Sequence, residues 1–249
     1  MLLMLIGVYE RRVRAGYKAL QRDRRPAVGL RFRPSGHWEY GRVSADVLGR
    51  WVPERPEDVA EVFAKADFPW WIAGGYAIEL AVGRELRAHG DLDVLVLRRD
   101  QVLAHELLAD WDLHVADPPG QGELRPWRPG EVLRPPLHDI WCRRTSKAPW
   151  SVQLMLDEAE GTQWVSRRTP EIRLPIDQLG RTSEAGIPYL APEVQLFYKA
   201  KATRDKDETD FKAVLPLLDA PARAWLADAI KVIAPNHPWL RRLLPVSRT

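Results

Sequence analysis

A pair of glycines between a short apolar strand and a short helix is the feature that most constrains this chain. Residues 69–73 are mostly bulky and apolar and run directly into Gly74 and Gly75, which predicts a strand that ends at the glycines. Residues 76–82 then have the composition of a short helix, which Gly83 would end. Glycine has no Cβ, so the backbone can approach a bulky anion, and the free N–H groups at a helix start favour negative charge. The sequence therefore predicts a phosphate-binding turn here.

Two aspartates follow at the head of the next predicted strand. Asp91 and Asp93 are separated by one residue, so on a strand both carboxylates project from the same face. Residues 94–97 form a continuous apolar run, which is typical of a strand covered on both sides. Carboxylate oxygens, together with phosphate and water, are the ligands that Mg²⁺ prefers. The pattern predicts that Asp91 and Asp93 hold two magnesium ions beside a nucleoside triphosphate.

These residues resemble a known enzyme family. The runs Gly74–Glu79, Gly83-Arg84 and Arg87–Asp93 are similar to those of the nucleotidyltransferase superfamily with the polymerase-beta-type fold, and within it to the aminoglycoside 2''-adenylyltransferase-like branch. The resemblance implies an α+β fold, with a small mixed β-sheet core carrying helices and a helical C-terminal part. It also implies an antibiotic-resistance enzyme that uses magnesium to move a nucleoside monophosphate, AMP from ATP, onto a hydroxyl of a small-molecule acceptor such as an aminoglycoside.

The same resemblance adds residues to the nucleotide site. It implies that Tyr76 and Arg84 contribute to this site beside the glycine pair. Lys199 matches a helical lysine that faces the triphosphate in related enzymes, and Asp207 and Asp210 match the acidic pair that follows that lysine.

The chain departs from the family pattern at the third carboxylate, which the family places on a later strand of the same sheet. The corresponding strand is residues 151–157, and its best-aligned position is Gln153, which can act neither as a base nor as an anionic ligand. Asp157 lies on the same predicted face near the strand end, and Asp139 lies on the preceding strand of the hairpin. Three alternatives stay open: Asp157 is the catalytic carboxylate, Asp139 is, or the chain has none.

Two other functions remain in view. One is a nucleotide-binding or regulatory protein on the same fold with weak catalysis. The other is a nucleotidyltransferase with an RNA or protein acceptor, because residues 11–25 are rich in arginine and could bind nucleic acid. Residues 1–50 hold 11 Lys+Arg and 4 Asp+Glu, a net +7 against +3 for the whole chain, which leaves −4 for the remainder. The basic character therefore belongs to the N-terminal extension.

Length and composition predict the remaining organisation of this 249-residue chain. We expect a basic extension over residues 1–50, a catalytic domain over 51–180 and a helical region over 181–249, with helices from residue 192 onward. Residues 1–8 are apolar but too short to cross a bilayer, and they lack the features of a signal peptide, so we expect a cytoplasmic protein without membrane contact. The single cysteine, Cys142, excludes an internal disulfide and fits a reducing compartment. The sequence predicts no particular oligomeric state.

Overall fold

The computed structural model describes two short strands near the N-terminus and a long continuous segment: residues 28–32, 38–42 and 48–243. The arginine-rich segment 11–25, with its predicted binding of nucleic acid, lies outside the described residues. Two compact units share the chain, and each is built from two stretches of sequence. The first unit holds residues up to Pro53 and Gln101–Met155, and the second unit holds Glu54–Asp100 and the residues from Leu156 onward. The predicted domains, with boundaries at residues 50 and 180, remain a prediction.

The described residues form a mixed α+β structure. The strands are β1 (Val28–Phe32), β2 (Trp38–Arg42), β3 (Trp70–Ala73), β4 (Asp93–Leu97), β5 (Asp112–Ala116), β6 (Leu124–Pro126), β7 (Asp139–Arg143), β8 (Val152–Glu160), β9 (Gln163–Val165), β10 (Arg173–Pro175), β11 (Gly180–Thr182) and β12 (Pro188–Leu190). The helices are α1 (Pro56–Phe63), α2 (Gly74–Val82), α3 (Gln101–Leu107), α4 (Pro192–Ala200), α5 (Asp205–Val214), α6 (Ala220–Ile233) and α7 (Leu240–Leu243). The predicted fold class is confirmed.

The strands of the second unit form the platform for the glycine pair and the aspartates. They lie in the order β11, β12, β3, β4, with β12 parallel to β3 and the other pairs antiparallel. All four residues of β3 are buried, and so are the last four of β4, as their apolar sequence predicts. The register sets Ala73, the last residue of β3, opposite Asp93, the first residue of β4. This pairing brings the start of α2 beside the aspartates.

Helices of the second unit pack around the end of β3. Helix α2 contacts α4 and α5, and α4 contacts α6. The predicted stop at Gly83 is confirmed, because this glycine is left-handed with φ of 73° and donates its N–H to Glu79 O at 2.8 Å. Helix α5 ends at Val214 and continues as a 3₁₀ turn, Leu215–Leu217. Pro216 accounts for this, since it has no N–H and its ring crowds the preceding turn.

The first unit contains an antiparallel sheet. Strand β5 pairs with β6 and β7, and β7 pairs with the first half of β8. The hairpin of β7 and β8 was predicted from the sequence and is confirmed. Its buried face includes Ile140, Cys142 and Leu154, each with no exposed surface. Between residues 48 and 243, each helix is too short or too polar to span a membrane.

Candidate active site

The first glycine of the pair lies directly against the carboxylate of Asp93. Gly74 has a φ of +68°, and a Cβ at this position would lie well under 3.0 Å from Asp93 Oδ2. Its N–H donates to Gln195 Oε1 on α4 at 2.7 Å. Glycine is therefore required for two reasons, its left-handed backbone and the space that Asp93 occupies. The expectation that every N–H at this helix start is free to face phosphate is wrong for Gly74, because Gln195 already accepts its hydrogen bond.

The second glycine makes room for two side chains from the loop that leads to Asp91. A Cβ on Gly75 would lie under 3.0 Å from the His89 ring and from Arg87 Nη2. Tyr76 packs on the other side of His89, with ring centroids 4.2 Å apart. The groups that come close to Gly75 are therefore side chains of the protein itself. A contact between phosphate and the glycine pair remains a prediction.

Glu79 anchors the loop that joins α2 to β4. Its Oε1 accepts hydrogen bonds from the backbone N–H groups of Leu86, at 2.8 Å, and Arg87, at 3.1 Å. The same oxygen lies 2.8 Å from His89 Nε2. Glu79 was not among the predicted site residues. A carboxylate on an otherwise apolar helix is nevertheless a sequence signal for a specific contact. This single side chain fixes the path of the chain toward Asp91.

The contacts of His89 define its protonation state. Arg87 Nη1 lies 2.9 Å from His89 Nδ1, and a guanidinium can only donate, so Nδ1 accepts and the proton belongs on Nε2, toward Glu79. Burial lowers the pKa of His89, and the charge of Arg87 lowers it further, against the opposing effect of Glu79. The ring is therefore neutral near pH 7 and acts as a structural acceptor for Arg87.

Helices α4 and α5, together with the loop before Asp91, contribute a group of paired charges that we call the charge cluster: Arg87, Lys199, Arg204, Asp207 and Asp210. Lys199 Nζ lies 3.3 Å from Asp207 Oδ1 and 2.9 Å from Asp210 Oδ2. Arg87 Nη2 lies 3.3 Å from Asp210 Oδ2, and Arg204 Nε lies 2.7 Å from Asp207 Oδ2. Burial alone would raise the pKa of Asp207, but the hydrogen bonds from Arg204 and the charge of Lys199 outweigh it and lower that pKa. Asp207 is thus buried as an ion.

The second unit brings some of the predicted site residues together and leaves others apart. Gly74 and Asp93 touch, as described, and Asp91 is exposed in the turn before β4. The charge of Asp91 acts on Tyr76, whose pKa is raised mainly by burial, and also on Arg204 of the charge cluster. Arg84 is exposed just after the end of α2. The role of each of these residues in binding a nucleotide remains a prediction.

Asp157, one candidate for the third carboxylate, is enclosed by partners within the second unit. Its Oδ2 accepts hydrogen bonds from Trp164 Nε1, at 2.6 Å, and from the Tyr198 hydroxyl, and its Oδ1 lies 3.2 Å from Arg167 Nε. Burial raises the pKa of Asp157 against the opposing effects of these partners. These contacts favour a structural role, because a general base must be able to reach a substrate proton.

Asp139, the other candidate, lies in the first unit. It is 3% exposed and accepts a hydrogen bond from Gln153 Nε2 at 3.2 Å. His138 Nε2 lies 3.3 Å from its other oxygen. Gln153, whose alignment with the family's third acid remains a prediction, donates its amide to Asp139. A role for Asp139 or Asp157 as the base that takes the proton of the acceptor remains a prediction.

The carboxylates present fit a metal ion that is shared with a nucleotide. Within residues 48–243, no group of three or more His, Cys, Asp or Glu side chains is arranged to hold a metal ion. Mg²⁺ is usually bound through one or two protein carboxylates and completes its shell with phosphate oxygens and water. Asp91 and Asp93 supply that number of carboxylates, so the donor set suits joint binding of metal and nucleotide better than a cage made of protein alone.

The packing around Gly75 predicts a stability loss that depends on His89. We expect Gly75→Ala to cost about 1–3 kcal/mol, the usual range for overpacking, because the new Cβ collides with the His89 ring. In a His89→Ala background the same substitution should cost much less, which a double-mutant cycle of urea unfolding measures. Equal costs in both backgrounds would show that His89 is not the colliding group.

The lowered pKa of His89 predicts how its contribution to stability depends on pH. The unfolded chain binds a proton near the ordinary value of 6.5 and the folded chain only at lower pH, so folding is favoured fully above about 6.5 and less as the pH falls below it. We expect the difference in free energy of unfolding between the wild type and His89→Gln to shrink between pH 7.5 and pH 5. A difference that stays constant or grows over this range would contradict the assignment of a neutral His89.

One protein-family model matches the segment that contains the glycine pair and the aspartates. The model of the aminoglycoside-2''-adenylyltransferase family matches residues 57–117. No curated protein sequence is similar enough to count as a relative. Among solved structures, the chain is similar to the lincosamide antibiotic adenylyltransferase LnuA with lincomycin bound, at 16% identity over 68% of this chain and 100% of that chain, with a TM-score of 0.47.

A second similar structure is ANT(2'')-Ia in complex with adenylyl-2''-tobramycin. It has 14% identity over 72% of this chain and 96% of that chain, with a TM-score of 0.46. The matched family segment, residues 57–117, runs from α1 into the loop after β5 and contains both glycines and both aspartates. In this segment the chain is similar to the aminoglycoside-2''-adenylyltransferase family.

Proposed function

We propose that this protein is a magnesium-dependent adenylyltransferase that moves AMP from ATP onto a hydroxyl group of an aminoglycoside-like antibiotic and releases pyrophosphate. The observation that carries the proposal is the meeting of Asp93 with Gly74 at the start of α2, inside the segment that matches the family model. Asp91 and the charge cluster lie in the same unit and act on one another electrostatically. Together these residues provide carboxylates for a metal ion and cations for phosphate.

The roles of the side chains follow from their exposure and contacts. Asp91 is exposed and Asp93 is partly exposed, so both are accessible to a bound metal–nucleotide complex. Two magnesium ions bound there would stabilise the attacking and leaving oxygens of the displacement at phosphorus. Glu79 and His89 hold the preceding loop, and Gly74 leaves the space in which Asp93 lies. The chain thereby fixes the metal ligands before the substrate arrives, which is the main requirement of phosphoryl-type transfer.

An antibiotic acceptor is supported by the family model and by charge. The model that matches this chain is named for transfer to the 2'' position of aminoglycosides. Aminoglycosides are polycations, and the part of the chain after residue 50 has a net charge of −4. A negative body attracts cationic substrates and increases their encounter rate at low ionic strength.

One set of observations favours a second candidate function, a nucleotide-binding protein with weak catalysis. Gln153, the residue that the resemblance aligns with the family's third acid, donates to Asp139, while Asp157 is enclosed by Trp164, Tyr198 and Arg167. A screen for adenylyl transfer detected by mass spectrometry, with aminoglycosides, lincosamides, tRNA and protein as acceptors, separates the candidates. Firm binding of magnesium and ATP without transfer to any acceptor favours the second candidate, and transfer to tRNA or protein instead of an antibiotic identifies a third.

The metal assignment predicts the behaviour of Asp93→Asn. This substitution keeps the shape of the side chain beside Gly74 but removes its charge, so the melting temperature should hardly change. Loss of a partner outside the ligand shell typically weakens metal binding about 10- to 100-fold, and loss of a direct ligand should weaken magnesium-dependent ATP binding by at least that factor. Calorimetric titration measures the effect, and Asp228→Asn, an exposed carboxylate on α6, is the matched control. Unchanged affinity in Asp93→Asn would reject the assignment.

Loss of the catalytic base should affect the rate of transfer, whereas loss of a metal ligand affects ATP binding. A general base contributes roughly 10²–10⁴-fold to rate, so its loss slows transfer and leaves ATP affinity nearly unchanged. If Asp139 is the base, Asp139→Asn should show this pattern, and if Asp157 is, Asp157→Asn should show it at a temperature where the variant is folded. If neither substitution slows transfer while Gln153→Glu accelerates it, the natural chain has no such base.

A further inference from the structure

Lys206 lies next in sequence to a member of the charge cluster. Arg87, Lys199 and Arg204 each lie within 3.3 Å of an oxygen of Asp207 or Asp210. Lys206 lies on the first turn of α5, directly before Asp207. Within the part of the chain that the structure describes, its ammonium forms no ion pair. The four cations and the two buried carboxylates leave two positive charges in excess.

Asp91 is among the charged groups that act on Lys206. Partial burial lowers the pKa of the Lys206 ammonium, and the repulsion of Arg204, Arg87 and Lys199 lowers it further, while Asp91 opposes both effects. The side chain nevertheless remains exposed to solvent. An anion in solution can therefore reach Lys206, and by neutralising the excess positive charge it would stabilise the whole group.

The turn that carries Lys206 is rigid. The backbone N–H of Arg204 donates to Asp207 Oδ2 at 3.0 Å, and the Arg204 guanidinium donates to the same carboxylate. The Asp207 carboxylate thus caps the backbone N–H that precedes α5 and binds the Arg204 side chain, which fixes the start of the helix. Lys206 is thus presented from a fixed backbone beside the aspartate pair, which is the arrangement a positioned phosphate ligand requires.

Lys199, by contrast, is held by buried carboxylates and cannot readily move to contact a ligand. Its side chain is 6% exposed and lies between Asp207 and Asp210, which are each 1% exposed. Moving this ammonium toward a phosphate would leave two buried carboxylates without one of their partners, which is strongly unfavourable. The contacts make Lys199 a link between α4 and α5.

We propose that Lys206, and not Lys199, contacts the triphosphate of the bound nucleotide. This inference rests on the proposed function, because it assumes that Asp91 and Asp93 hold a magnesium–ATP complex. The part of the triphosphate that leaves as pyrophosphate would then lie at the start of α5. The monophosphate that is transferred would depend much less on Lys206.

The test compares the affinities of lysine variants for magnesium–ATP and for AMP by calorimetric titration, with melting temperatures as a second readout. Lys206→Met should weaken ATP binding about 10- to 100-fold, the usual effect of one charged hydrogen bond. It should leave AMP affinity and the melting temperature nearly unchanged. Lys206→Arg keeps the charge and should retain most of the ATP affinity.

Two further variants serve as matched controls. Lys212→Met removes an exposed lysine from the same helix and should change neither affinity. Lys199→Met should lower the melting temperature, since it removes a buried partner of Asp207 and Asp210. ATP affinity that is unchanged in Lys206→Met, or lost only in a fully stable Lys199→Met, would overturn the inference. A wild type that binds no magnesium–ATP at all would instead overturn the proposed function, so the two failures are distinguishable.

Discussion

Two buried carboxylates hold the candidate site together. Asp207 and Asp210 form ion pairs with three parts of the chain. Arg87 belongs to the loop before Asp91, Lys199 to helix α4 and Arg204 to the start of α5. Removing one partner from a buried ionic group typically costs about 3–5 kcal/mol, because the remaining charge is left without compensation. The position of the loop relative to the two helices therefore depends on these carboxylates, and the exposed residues of the site depend on that position.

The site divides into residues that build it and residues that face solvent. Glu79, His89 and Gln195 use their polar groups within the protein, on backbone N–H groups or on Arg87. Asp91 and Lys206 are exposed and lie beside this framework. Such a division suits an enzyme whose chemistry depends on positioning, because buried contacts hold the chain in place and leave exposed side chains accessible to a ligand.

Local patterns made much of this arrangement predictable from the sequence. The apolar run before the glycines and the stop at Gly83 each depend on a few adjacent residues, and the structure agrees with both. The strand after the glycines begins at Asp93, so Asp91 lies before it and the predicted shared strand face of the two aspartates is not formed. The reason for the glycine pair was not predictable, since the atoms that would meet a Cβ belong to His89, Arg87 and Asp93, more than ten residues further along the chain. The pairing of Lys199 likewise depends on the packing of α4 against α5. A motif identifies the residues of a site more readily than the contacts that each one makes.

The central claim is that Asp91 and Asp93 bind a magnesium–nucleotide complex in the second unit. A crystal structure of the protein with Mg²⁺ and a non-hydrolysable ATP analogue tests it most directly. The account predicts metal density bonded to the carboxylates of Asp91 and Asp93, with the triphosphate reaching from that metal toward the start of α5. Nucleotide bound elsewhere on the protein, or a metal ion that touches neither aspartate, would contradict it.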